Sequence, residues 1–182
     1  MTQKSKSQLD ALIVTNSTGA ITPAIIRDFV DTAVQSHGSF YVTSSSATTI
    51  TTPGTYYKMA GTTVLVAGHR FTSPTNNRLT YTGLVTSNFH IVINISVLSA
   101  GNNQVVGFAV AKNGTTLAHS IMETKVLTGS DIDVIAIHAD TTLATNDYIE
   151  LWCTNSTSTS TVTAEHAYMY AMGMLRDDVD EA

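Results

Sequence analysis

The run NFHIVINISVL, residues 88–98, decides the fold. Its Phe89, Ile91, Ile93, Ile95 and Val97 fall on one side and His90, Asn94 and Ser96 on the other, the period-two signature of a strand with one face in a core. Short apolar runs recur on either side of it between turn signals. Upstream these are Phe40–Thr43, Thr55–Met59, Thr62–Val66, Arg70–Thr72 and Leu79–Thr82, with Pro53-Gly54 and the loop SPTNN (73–77) between them. Downstream, Gln104–Lys112 and Thr115–Glu123 are joined by Asn113-Gly114, a dipeptide whose two residues accept the positive φ of a tight hairpin turn. Asp131–Asp140, Asp147–Cys153 and Val162–Met174 follow. About eight to ten strands without intervening helices predict an all-β, antiparallel jelly-roll sandwich.

The last two runs carry bulk on both faces. In the first, Tyr148 and Trp152 flank Glu150 on one side, while Ile149, Leu151 and Cys153 occupy the other. In the second, His166, Tyr168 and Tyr170 lie opposite Met169 and Ala171. One face of each strand fills the sandwich, and the other needs cover. Burying a large apolar side chain contributes roughly 1.5–3 kcal/mol, so Tyr148, Trp152, His166, Tyr168 and Tyr170 are the expected contacts of a symmetric oligomer. The competing expectation is a monomer in which an N-terminal helix covers them.

That helix is announced by Thr22 as cap and Pro23 at the first helical position, with Ile21 placed to staple onto Ile26. Ile25, Ile26, Phe29, Val30 and Ala33 form an apolar stripe opposite Arg27, and the helix is expected to end near Ser36–Gly38. About four turns are marginal alone in water, so the stripe is expected to dock on the sandwich, on a symmetry mate or on another protein. The chain therefore divides into an anchoring arm and helix (1–38), a jelly roll (39–176) and an acidic tail (177–182).

Composition narrows the function. The net charge is −5 with nine Lys and Arg, and no cationic cluster exists to neutralise phosphates, which excludes a nucleic-acid binder. Charged residues make up 13% of the chain against a usual share of about 25%, so little repulsion separates copies of it. Cys153 is alone, so packing rather than a disulfide must hold the fold. No run approaches the roughly 18 apolar residues of a membrane span, and MTQKSKSQLD lacks the apolar core of a secretory signal, which predicts synthesis in a cytoplasm without export and no membrane partner.

The six histidines show no metal-ligand spacing, although His90, His138 and His166 could converge in space. Asp131 and Asp133 share a strand face, where exposed carboxylates are ordinary. No GxSxG elbow and no phosphate-cradling loop are present. Neither a catalytic residue, a cofactor nor a metal is expected.

RLTYTG (78–83), FHIVINISV (89–97), VVGFAVAKNGT (105–115), ATNDYIELW (144–152) and HAYMYAMGM (166–174) resemble, in that order, the trimeric jelly rolls of the tumour-necrosis-factor and complement-globular-head type found in bacteriophage structural proteins. Asn146 stands where such domains usually carry a turn glycine, and asparagine tolerates the left-handed conformation. VTNSTGAITPAIIRDFVDTAV (14–34) is similar to a module that precedes such domains in phage virion proteins, matching at Gly19, Thr22, Arg27, Asp28 and Phe29. The resemblance implies a homotrimer on a virion, made in the host bacterial cytoplasm. With one short arm and one compact domain, a capsid decoration or cement protein is expected, gripping the major capsid protein or another virion protein through Ile21, Ile25, Ile26, Phe29 and Val30. The alternative is a tail-fibre or baseplate module that recognises a host glycan or protein through the loops Ser73–Asn77 and Asn155–Thr161.

Overall fold

The computed structural model describes residues 22–174 together with residues 8 and 11, without the side chains of residues 31 and 32. The expectations for the arm 1–19, for Ile21 and its staple, and for the tail 177–182 lie outside the described residues.

A helix, α1 (Pro23–Ala33), precedes thirteen strands. Thr22 caps it in extended conformation, its hydroxyl oxygen accepting from Ile25 N at 3.3 Å. The helix stops at Ala33, a turn earlier than the sequence suggests, because Val34 is already extended. Arg70 explains the stop: its guanidinium donates to Val34 O (3.2 Å) and Ser36 Oγ (3.1 Å), fixing the exit toward the first strand.

The strands are β1 (His37–Ser44), β2 (Ala47–Thr48), β3 (Tyr57–Lys58), β4 (Thr62–His69), β5 (Phe71–Thr72), β6 (Arg78–Tyr81), β7 (Ser87–Ser99), β8 (Gln104–Lys112), β9 (Thr115–Thr116), β10 (Met122–Val126), β11 (Asp133–Leu143), β12 (Tyr148–Asn155) and β13 (Val162–Gly173). They form two antiparallel sheets. The long-strand sheet runs β11-β7-β13-β1-β4, with β2 paired to β13. The second runs β10-β8-β12-β6-β5, with β3 on β12 and β9 on β8. The described residues form the all-β jelly-roll sandwich expected, with the amphipathic helix α1 before it.

The core lies between the sheets. Phe89, Ile91, Ile93, Ile95 and Val97 of β7 are all at most 2% exposed, as alternation demands. Phe89 meets Phe71 and Tyr81 of the opposite sheet edge-on, with centroids 5.2 and 4.9 Å apart, and the buried Tyr81 hydroxyl donates to Val85 O at 2.8 Å.

The expected hairpin closes at Asn113 (φ 50°) and Gly114 (φ 78°). Its turn is tied to the next one: Asn113 Nδ2 donates to Asp147 Oδ1 (2.7 Å), Tyr148 N donates to Asn113 Oδ1 (2.9 Å), and Asn146 adopts φ 71°. Burial favours protonation of Asp147, but bonds from Asn113, Ala144 N and Lys112 outweigh it and hold the carboxyl below the usual range. A Cβ at Gly114 would meet nothing nearer than the Tyr148 hydroxyl, 3.7 Å away, so substitution there strains only the backbone. Gly114→Ala is expected to cost about 1–2 kcal/mol in denaturant unfolding, and an unchanged midpoint would contradict this turn geometry.

The run Thr115–Glu123 is not one strand, contrary to the sequence reading. Ser120 breaks it. Its Oγ accepts from Val110 N (2.9 Å) and donates to Leu117 O (2.7 Å), replacing a ladder bond and letting the chain turn through a 3-10 segment, Ala118–Ser120, before β10 rejoins β8.

Candidate functional site

The long-strand sheet presents one face to the core and one outward. Nothing in the described residues packs over the centre of the outward face. Residues directly opposite one another in an antiparallel sheet project to the same side, so the register lays this face out row by row. One row reads Ala136, Asn94, Tyr168, Tyr41, Val64 from edge to edge. Two rows toward one end it reads Asp140, His90, Met172, His37, His69. His138 and Tyr170 lie in the row between them.

Tyr41 (45% exposed), Val64 (44%), Val134 (71%), Tyr168 (40%) and Met172 (38%) make the face apolar and open. A trough of about 590 Å³ runs along it, lined by Tyr41, Asn94, Ser96, Val134, His166 and Tyr168 among others. The trough lies beside an exposed ridge at the sheet edge, Val64 and Val66 of β4.

Charge is scarce in this sheet. Its strands contain no Lys or Arg, and their acidic residues are Asp133, Asp140 and Glu165. Asp133 accepts from the Thr124 hydroxyl of β10 and from Val134 N, contacts that pull its carboxyl below the usual range. Glu165 sits at a bulge in β13 and accepts from Ser45 Oγ (3.3 Å). Asp140 holds His90, with Oδ1 2.6 Å from Nδ1, and His90 Nε2 lies 3.2 Å from His138 Nδ1.

The five expected oligomer contacts do not share a surface. His166, Tyr168 and Tyr170 belong to this face. Tyr148 and Trp152 lie on the outer side of the other sheet, around Glu150, which is 2% exposed. Glu150 Oε1 accepts from Lys58 Nζ (2.7 Å) and from Arg78 Nε and Nη2 (each 2.8 Å), and Oε2 accepts from Trp152 Nε1 (3.0 Å). The Arg78 guanidinium also stacks 3.8 Å above the Tyr148 ring. Tyr148 and Trp152 thus close a local ion cluster.

The stripe of α1 does not dock on its own sandwich. Ile26 (53%), Phe29 (52%) and Val30 (55%) are exposed and Ile25 is half-buried, which removes the monomer in which this helix covers the sheet.

In both loops expected as alternatives for glycan recognition, asparagines direct polar groups into the fold. Asn155 Oδ1 accepts from Thr157 N and Ser158 N, and its Nδ2 donates to Gln104 Oε1 and Ser160 O. Asn76 Oδ1 accepts from Thr63 N, while Asn77 Nδ2 donates to Met59 O.

His166 does not converge with His90 and His138. It pairs with Ser96, six residues along β7 from His90. Among the described residues no group of three or more His, Cys, Asp or Glu is placed to hold a metal ion. Burial pushes the Cys153 thiol up to about 12, which leaves it without a nucleophilic thiolate at neutral pH.

No protein-family model and no curated protein matches the chain. Solved structures do. The crystal structure of murine APRIL at pH 5.0 superposes with a TM-score of 0.52 at 9% identity, over 78% of this chain and 100% of that one. The fold is the TNF-like jelly roll. Eiger TNF from S. frugiperda is also similar, with a TM-score of 0.47 and 12% identity over 81% of this chain and 99% of the other. In this TNF-like frame the sheet with the open face is the one built from the longest strands, β7, β11 and β13.

Proposed function

We propose that the chain is a non-catalytic structural protein that forms a homotrimer through the outer face of the long-strand sheet and uses its N-terminal helix to attach to a virus particle, as a capsid decoration or cement protein. The observation that carries the trimer is the open face itself, apolar and nearly without fixed charge. A second copy of the same surface matches it, because over most of the face neutral groups then meet neutral groups and few ions lose water. A trough beside a ridge also suits a head-to-tail contact, in which the Val64–Val66 ridge of one copy enters the trough of the next and three such steps close a ring.

The exposed stripe of α1 supports the anchoring role. It stands apart from the body that carries the trimer face, so it remains available to a different surface, and three copies grip together more firmly than one. The virion assignment rests on the sequence resemblance to phage proteins.

Sedimentation equilibrium tests the trimer: the expected mass is three times the 19.4 kDa chain, and a concentration-independent single-chain mass defeats the proposal. Removing residues 1–33 tests the anchor. It spares Ser36, whose carbonyl accepts from Gly173 N at 2.7 Å, so the body is expected to remain folded and trimeric while losing binding to phage shells. Undiminished shell binding by the truncated form would refute the helix as anchor.

A further inference from the structure

Five of the chain's six histidines belong to the long-strand sheet. His37, His69, His90, His138 and His166 project from the outer face of the long-strand sheet, and His119 reaches the same sheet, its Nε2 lying 3.0 Å from Asp140 O. Two clusters form. In one, Asp140, His90 and His138 make a chain across β11 and β7. In the other, the rings of His37 and His69 stack with centroids 6.1 Å apart, and His37 lies 6.5 Å from the Tyr170 ring. No Lys or Arg competes with them within the sheet. Histidine is the side chain whose charge changes between about pH 5 and 8, so this face is neutral or cationic according to the pH.

We propose that the face is a proton-gated contact between copies, closed while its histidines are neutral and opened when they take up protons. The inference rests on the reading of this face as the trimer interface. Burying a neutral imidazole costs little, whereas burying an imidazolium without a partner costs several kcal/mol. The surrounding groups do not supply enough negative charge. His90 faces Asp140 and His138 from β11 and Met172 from β13. His138 faces His90, with His119 and, through Thr142 O, Lys112 arriving near Asp140 from the other sheet. His37 faces His69 from β4, Tyr170 from β13 and Gln35 O, 3.1 Å from its Nδ1. Arg70 follows His69 in the chain, and its guanidinium sits on Ser36, the residue before His37. His166 has Glu165 next to it in the chain.

The geometry of the His90–His138 contact suits neutral rings. With Nδ1–H of His90 donating to Asp140, Nε2 of His90 accepts from Nδ1–H of His138. When both rings are cationic, two N–H groups point at each other across 3.2 Å and the contact must open.

The sign follows from linkage. Separated chains expose these imidazoles to water and bind protons more readily than the closed assembly, so association weakens as pH falls. With one proton taken up per copy, the trimer association constant is expected to drop on the order of a thousandfold or more between pH 7.5 and 5.0.

Sedimentation velocity of the full chain at both pH values, with far-ultraviolet circular dichroism to follow the fold, tests this. The expected result is a trimer at pH 7.5 and folded single chains at pH 5.0, with the trimer restored on neutralisation. Combined His37→Gln, His90→Gln and His138→Gln replacement is expected to keep the trimer at pH 5.0. Should that variant not fold, dilution calorimetry of the wild type near pH 6.5, in buffers of different ionisation enthalpy, reads the proton uptake directly. Net uptake of about half a proton per copy or more supports the gate. A trimer at both pH values with no uptake overturns the gate and leaves the trimer reading intact, while single chains at both pH values overturn the trimer reading itself. Dissociation by EDTA at pH 7.5 also overturns the gate, since the histidines would then be metal ligands.

Discussion

Replacing Tyr168 by arginine is expected to turn the trimer into folded single chains. Tyr168 stands at the middle of β13, flanked in its row by Asn94 and Tyr41, and forms part of the trough wall. At 40% exposure it leaves room for a longer polar side chain in a lone subunit, while its neighbours Ala167 and Met169 face the core and are untouched. The sandwich therefore survives the change. In the assembly each copy would bury a guanidinium on a face whose strands offer no acidic residue nearer in the same row, and an uncompensated buried charge costs about 3–5 kcal/mol. One such charge per copy weakens association by more than about a hundredfold each. Trp152→Ala makes the control, because Trp152 belongs to the opposite sheet and its loss is expected to leave the trimer mass unchanged. If Tyr168→Arg sediments like the parent, or Trp152→Ala dissociates it, the interface has been placed on the wrong face.

The contrast between these two residues marks where sequence reading stops. Alternation identifies which side of a strand is buried, and it does so for β7 and for the inward Ile149, Leu151 and Cys153 of β12. It does not say which sheet a strand joins. β12 and β13 follow each other in the chain but enter opposite sheets, so their outward aromatics point in opposite directions. Local chemistry was equally readable where one residue suffices, as at the Thr22 cap and the Asn113-Gly114 turn. It failed where a distant group intervenes. Nothing in the sequence around Glu150 announces its partners, and strand pairing brings Arg78 from β6 and Lys58 from β3 over it. Five of the six histidines are likewise scattered across β1, β4, β7, β11 and β13, and pairing alone brings them to one face.

The Glu150 cluster yields the largest stability effect, and from its cations rather than its carboxylate. The carboxylate is 2% exposed, whereas Lys58 and Arg78 are 33% and 28% exposed and can turn to water. Removing Glu150 leaves two charges that solvent can reach. Removing both cations strands a buried anion with Trp152 as its remaining side-chain donor. Lys58→Met with Arg78→Met is therefore expected to cost about 3–5 kcal/mol at pH 7, more than Glu150→Gln. The pH dependence supplies a second check. Burial favours protonation of Glu150, but the bonds from Lys58, Trp152 and Arg78 prevail and lower its pKa in the folded state. A lowered pKa stabilises fully above the unfolded value and is lost as pH falls through the folded one. In the double variant burial acts almost alone, the folded pKa rises, and acid relieves the penalty by protonating the stranded carboxyl. The gap between variant and parent should narrow from pH 7 to pH 4 in urea unfolding, measured on a Tyr168→Arg background so that assembly does not enter. A gap below about 1 kcal/mol at pH 7, or one that stays constant with pH, would mean that the cations are surface charges contributing little to the fold.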